Sequence, residues 1–253
     1  VWAFRYENLG MMNRREVLGG IGVGAPALLL AREAAAAPAK PGAGPLPPAF
    51  AGKHAVVPLP FDPKKLSGIS EKMIVSHHDN NYVGAVKNLN KVEEQLATIT
   101  KDTPGFAVVG LKERELLFAN STILHTHYFA NLGGDGKPGG AIEKRIAAAY
   151  GSLGAWEMHF RALGNGLGGG SGWVILGYNF ATGELATSWA GNHTNALAFG
   201  APLLVMDMYE HAYAIDYGAA AGKYIDAFFQ NVSWDEANRR LERAEKAAAA
   251  LRA

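Results

Sequence analysis

Four places in the chain gather side chains able to bind a metal or move a proton. They are the pair His77 and His78, the pair His125 and His127, the stretch from Asp207 to His211, and His193 in the run Gly-Asn-His-Thr-Asn. Taken singly, a histidine on a helix is ordinarily a core or surface residue. The combination carries more. An aspartate at the end of a buried strand, with a histidine four residues on, aims two ligand types at one spot. Histidines from two facing antiparallel helices can complete it, because bundles build metal sites between facing helices. Three imidazoles and one carboxylate make a nitrogen and oxygen site suited to iron or manganese, with a position left open for solvent or substrate. The chain has no cysteine, which excludes disulfides, thiolate metal sites and cysteine nucleophiles. No pendant general base accompanies the candidate ligands, which disfavours a metal-dependent hydrolase.

The elements that must position these groups differ between the two halves. Ser70 to Thr100 has near-helical periodicity behind a plausible Ser70 cap and is ended by Thr103, Pro104 and Gly105. Glu113 to Leu132 predicts a second helix, stopped by Gly133 and Gly134. Together they predict a long antiparallel helical hairpin. Ala141 to Leu163 is alanine-rich and helical, and a glycine cluster then leads into Trp173 to Leu176. The turn Ala181 to Glu184 separates that run from Leu185 to Ala190, which predicts a β-hairpin. Pro202 to Met206 predicts a short buried strand, and 216–231 and 233–252 predict helices. The fold class expected is α+β, with the helical hairpin followed by helices around a small three-stranded antiparallel sheet.

The first 37 residues read as something other than the fold. Arg14 and Arg15 precede the apolar stretch Val17 to Leu30, and an alanine run with A-x-A spacing precedes Pro38. That order is an export signal, and the adjacent arginines before Glu16, Val17 and Leu18 resemble a twin-arginine signal. The apolar part is shorter than the roughly 20 residues needed to span a bilayer. Residues Val1 to Met11 read as an upstream extension. The expected organisation is then 1–37 signal and extension, 38–63 a linker and lead-in rich in Pro, Gly and Ala, 64–138 the hairpin, and 139–253 the α+β part. Loss of residues 1–37 removes four arginines and three glutamates and leaves basic and acidic residues in equal number. A neutral chain suggests no nucleic-acid or membrane-surface partner, and any attraction of an anion must be local.

The segments carrying the candidate ligands resemble the iron/manganese superoxide dismutase family over roughly Pro60 to Arg252. DMYEHAYAIDY, from Asp207 to Tyr217, resembles the family motif D-x-W-E-H-A-Y. GGSGWVIL and the PLL run before Asp207 stand where the family has them, LHTHYFANLGG resembles N-H-x-F-x-W-x-x-L, and SHHDNNYVGAVKNLN resembles the first-helix segment. The resemblance implies His77, His125, Asp207 and His211 as ligands of one Fe or Mn ion per chain. It also implies dismutation of superoxide as the metal cycles between +3 and +2. Glu210 resembles the residue that reaches across a dimer to the partner's equivalent of His211, which implies a homodimer or a dimer of dimers. Export implies a periplasmic location and a mature form without a membrane anchor.

The chain departs from the family pattern where substrate and solvent would sit. An ungapped match puts Asn81 and Ala85 where the family has a further His and a gating Tyr. Tyr82 is expected to fill the channel from a neighbouring position, because aligning it with the gating Tyr would leave Ile74, a hydrocarbon, at the ligand place. Phe129 and Tyr209 stand where Trp is common, and Ala214 and Ala221 replace a Tyr and an Arg. Lys223 or Lys87 is left to supply positive charge. The family's solvent-holding Gln is absent; Ser121 and Asn192 or His193 occupy its two places, and His193 is expected to donate to bound solvent instead. These losses motivate a second reading, an Fe or Mn binding protein of the same fold with little or no turnover.

Overall fold

The computed structural model describes residues 46–195 and 198–252. The expected export signal and the start of the linker lie outside the described residues. A lead-in with 3-10 turns at Pro48–Phe50 and Pro63–Lys65 precedes the first helix. It is fastened along that helix by side chains. Glu93 accepts from Gly52 N, Asn90 exchanges two hydrogen bonds with the His54 backbone, and Val57 N donates to the Tyr82 hydroxyl at 3.0 Å.

The helix predicted over 70–100 is three pieces. Helix α1 (Glu71–Ser76) starts on Ser70, whose hydroxyl caps Met73 N as expected. A π-helical segment, His77–Tyr82, follows, and α2 (Val83–Leu96) completes the run. A π turn holds one residue more than an α turn, and such turns commonly mark functional positions. The second helix of the hairpin, α3 (Gly105–Ala130), starts eight residues before the expected Glu113. Its first turns carry Gly105, Val108, Val109 and Gly110, all weak helix formers. Packing against α2 overrides that local preference.

The predicted helix over 141–163 divides into α4 (Gly140–Tyr150) and α5 (Leu153–Leu167). Gly151, at φ 84°, ends the first, and Ser152 caps the second through Ala155 N. The region 216–231 likewise divides at Gly218, φ 53°, into α6 (Ala214–Tyr217) and α7 (Ala221–Gln230), ahead of α8 (Trp234–Arg252). Strands β1 (Trp173–Asn179), β2 (Leu185–Ala190) and β3 (Gly200–Asp207) form one antiparallel sheet in the order β2-β1-β3. Trp173 pairs with Asp207, so the two residues sit side by side at one end of the sheet.

A single hydrophobic core joins the hairpin to the α+β part, from Met73 and Leu124 through Trp156 and Leu204 to Leu241. The end of α3 is tied to β3 by Asn131, whose Oδ1 accepts from Val205 N at 2.8 Å and whose Nδ2 donates to Leu203 O. Arg240 of α8 closes the same junction. Its guanidinium donates to the carbonyls of His127 and Leu203, to Asn131 Oδ1 and to Glu236. Among the described residues no helix is long and apolar enough to cross a membrane.

Candidate metal centre

Four elements converge at the end of the sheet. The π segment supplies His77, α3 supplies His125, the last residue of β3 is Asp207, and the 3-10 turn Glu210–Ala212 supplies His211. One donor atom from each of these four residues lies within 4.8 Å of all the others. These are the four side chains expected to share one ion. His78 and His127 turn elsewhere. His78 bonds the Val57 carbonyl and Asp79, and His127 lines a separate cavity, its pKa lowered to about 4 by burial and the Arg240 charge.

The contacts inside the cluster are those of donors arranged around a common point. Asp207 Oδ2 is 3.1 Å from His77 Nε2, 3.5 Å from His125 Nε2 and 3.2 Å from His211 Nε2. Only the His211 contact has hydrogen-bond geometry; His77 Nε2 is near enough to the carboxylate but wrongly directed. Both ring nitrogens of His77, and Nε2 of His125, are therefore buried without a hydrogen-bond partner. An unpartnered buried polar group costs about 1–3 kcal/mol, so the two Nε2 atoms inside the cluster, on His77 and His125, call for a bound cation. His125 Nδ1 donates to the Ser121 carbonyl at 2.7 Å, which leaves the lone pair on Nε2, inside the cluster. Burial drives the His125 pKa down to about 3, helped by the neighbouring His77, and burial also lowers His77. Burial alone would raise Asp207. The imidazoles of His211 and His77 outweigh it and hold this carboxyl below the usual carboxylate range. Two neutral buried imidazoles and an ionised carboxylate are in the protonation state a cation requires.

His193 lies beside this cluster, half-buried, with its ring centroid 6.1 Å from that of His125. Trp173 Nε1 donates to His193 Nδ1 at 3.0 Å. A neutral His193 that accepts at Nδ1 carries its proton on Nε2, and burial lowers its pKa and so favours the neutral form. Tyr209 is sandwiched between two imidazoles, 4.7 Å from His193 and 5.3 Å from His211. The aromatic at this position thus sets two rings in place at once. Tyr82 is buried and its ring lies 6.2 Å from His125, but its hydroxyl is engaged by Val57 N and Thr126 Oγ1 and bonds none of the four cluster residues. Asn81 is half-buried and Ala85 buried, while Lys87 and Lys223 are exposed and make no ion pair among the described residues. Glu210 is exposed, with no ion-pair partner among the described residues, and His211 is a quarter exposed at its side chain, so this rim of the cluster opens outward.

Sequence reasoning missed three contributors. The Ser121 carbonyl acts through the backbone, which no side-chain pattern reveals. Trp173 read only as the start of a strand. Arg240 read only as part of the last helix, although it is buried.

The comparisons with known proteins agree with the geometry. The model for the iron/manganese superoxide dismutases, C-terminal domain, matches residues 138–240. A superoxide dismutase [Fe] of Cupriavidus metallidurans is 49% identical over 185 residues, 73% of this chain and 94% of the relative. This chain belongs to the iron/manganese superoxide dismutase family. Other relatives include a superoxide dismutase [Fe] of Aquifex aeolicus, 35% identical over 79% of this chain and 98% of its own length. A superoxide dismutase [Mn] of Halobacterium salinarum is 34% identical over 76% of this chain and 96% of its own length. Relatives of both metals align over nearly their whole length, so family membership gives the metal class, iron or manganese.

Proposed function

We propose that this chain disproportionates superoxide at one iron or manganese ion held by His77, His125, Asp207 and His211. Two superoxide anions and two protons give one dioxygen and one hydrogen peroxide. The observation that carries this reading is the set of buried, unpartnered nitrogens on His77 and His125 facing an ionised Asp207. The family supplies the reaction class. Bound iron or manganese supplies a one-electron couple between its +3 and +2 states, taking an electron from one superoxide and giving it to a second.

The residues of the chain have the remaining tasks. Asp207 contributes the negative charge, and the Ser121 carbonyl fixes the tautomer of His125. His193 takes the place of the family's glutamine. Its Nε2 proton, set by the Trp173 donor on Nδ1, is the group that orients solvent in the open position and holds a proton for the product. Tyr209 keeps the His193 and His211 rings parallel. Tyr82 acts by position: its ring walls the site, and its hydroxyl fastens the lead-in at Val57. In His193→Ala, turnover should fall by about tenfold or more with metal content unchanged. Full turnover in that variant would remove His193 from the mechanism.

Two further parts of the reading concern the whole chain. Glu210, exposed beside a ligand, suits a contact to His211 of a second copy, giving a homodimer or a dimer of dimers. Arg14, Arg15 and the apolar run after them suit twin-arginine export to the periplasm, a route that carries folded, metal-loaded proteins. Replacing both arginines by lysine should leave the protein in the cytoplasm, and undiminished export would discard that route.

A further inference from the structure

Where the end of α3 meets α8 and the start of β3, the surface folds into a cavity of about 440 Å³. That is within the usual span of small-molecule sites, about 300–1,000 Å³. Its lining mixes apolar residues, Ala130, Phe180, Pro202 and Ala247, with polar ones, among them His127 and Arg243. Arg243 is exposed and has no hydrogen bond or ion pair among the described residues. Neither ring nitrogen of His127 has a hydrogen-bond partner among them. The one acid on the wall, Glu236, is already committed to Arg239 and Arg240. The lining therefore offers a free guanidinium, a free imidazole and a surplus of positive charge beside apolar surface.

We propose that this cavity binds a small amphiphilic carboxylate. The carboxylate pairs with the fork of Arg243 and hydrogen-bonds His127, and a short aliphatic tail lies on Ala130, Phe180, Pro202 and Ala247. A guanidinium matches a carboxylate in two parallel hydrogen bonds. An inorganic anion leaves the apolar wall bare, and a neutral or cationic amphiphile leaves Arg243 unpaired. The site also touches the metal centre's framework. Thr126, on its wall, bonds the Tyr82 hydroxyl at 3.1 Å and directly follows His125.

Sodium octanoate titrated by calorimetry into the full metal-loaded protein tests this. Saturable binding of one octanoate per chain is expected. Arg243→Glu should weaken it by about tenfold or more, the scale of one lost charge-assisted pair. Ala247→Trp, which fills the cavity from an exposed helix position, should abolish it. Metal content and circular dichroism of both variants should match the wild type, because neither residue packs in the core. Absent saturable binding, octanoate affinity unchanged by Ala247→Trp, or octylamine binding as tightly as octanoate would each overturn the proposal. So would Ala247→Trp changing the sedimentation coefficient, since a second copy of the chain would then be the occupant.

Discussion

At the residue scale the centre is governed by protonation. Asp207 is fully buried and held ionised chiefly by His211, while burial keeps His77 and His125 neutral. In the metal-free protein this makes stability depend on pH in one direction. His125 moves from 6.5 to about 3 on folding. Between those values the unfolded chain takes up a proton that the folded chain refuses, so stability falls as pH falls. Asp207 acts in the same sense lower down, because its lowered pKa gives stability above 3.8, the ordinary aspartate value, that is lost in stronger acid. The melting temperature of metal-free protein should therefore drop between about pH 7 and pH 4, and His125→Gln should flatten part of that slope. An unchanged melting temperature across the range would mean that these imidazoles are not held neutral by the fold. The four candidate ligands were legible in the sequence as residue types at fixed offsets from a strand end and two helices. The direction of their lone pairs was not. For His125 it is set by the Ser121 carbonyl, four positions away in the chain, and the proton of the neighbouring His193 is set by the Trp173 donor, 20 positions away.

At the element scale the centre depends on how α3, which carries His125, is registered against β3, which carries Asp207. Asn131 and Arg240 make that connection with hydrogen bonds to Val205, Leu203 and His127. Arg240→Met removes the guanidinium from four acceptors at once and leaves Glu236 without one of its two partners. A loss of about 1.5–3 kcal/mol in urea unfolding is expected, the scale of losing hydrogen bonds from a buried charged group whose partners keep other contacts. A loss below 1 kcal/mol would contradict a tying role. The helical hairpin and the three-stranded sheet could be read from periodicity and turns. The π segment could not, because an inserted residue leaves the apolar pattern of Ser70 to Leu96 close to helical. The early start of α3 was hidden by glycine and β-branched residues whose local preference is overruled by packing on α2. The breaks at Gly151 and Gly218 were missed for the opposite reason, since the surrounding alanine-rich sequence favours continuous helix.

At the scale of the whole molecule the rim of the centre decides how substrate reaches the metal site. On the sequence resemblance, Asn81, Ala85 and Ala221 stand where the family pattern has a further His, a gating Tyr and an Arg, and the exposed Lys87 and Lys223 make no ion pair among the described residues. Glu210 stands at the same rim. If a second copy completes the centre there, Glu210→Ala should shift sedimentation toward monomer and lower metal retention together, and a variant that stays dimeric with full metal would dismiss that contact. The central claim is tested most directly by assaying metal content and superoxide dismutation on one sample of the purified protein. The account predicts about one iron or manganese per chain, the single centre of three His and one Asp, with rapid dismutation that disappears when a chelator strips the metal and returns on reloading. Full metal with no dismutation would contradict it and make the chain a metal-binding member of a catalytic family.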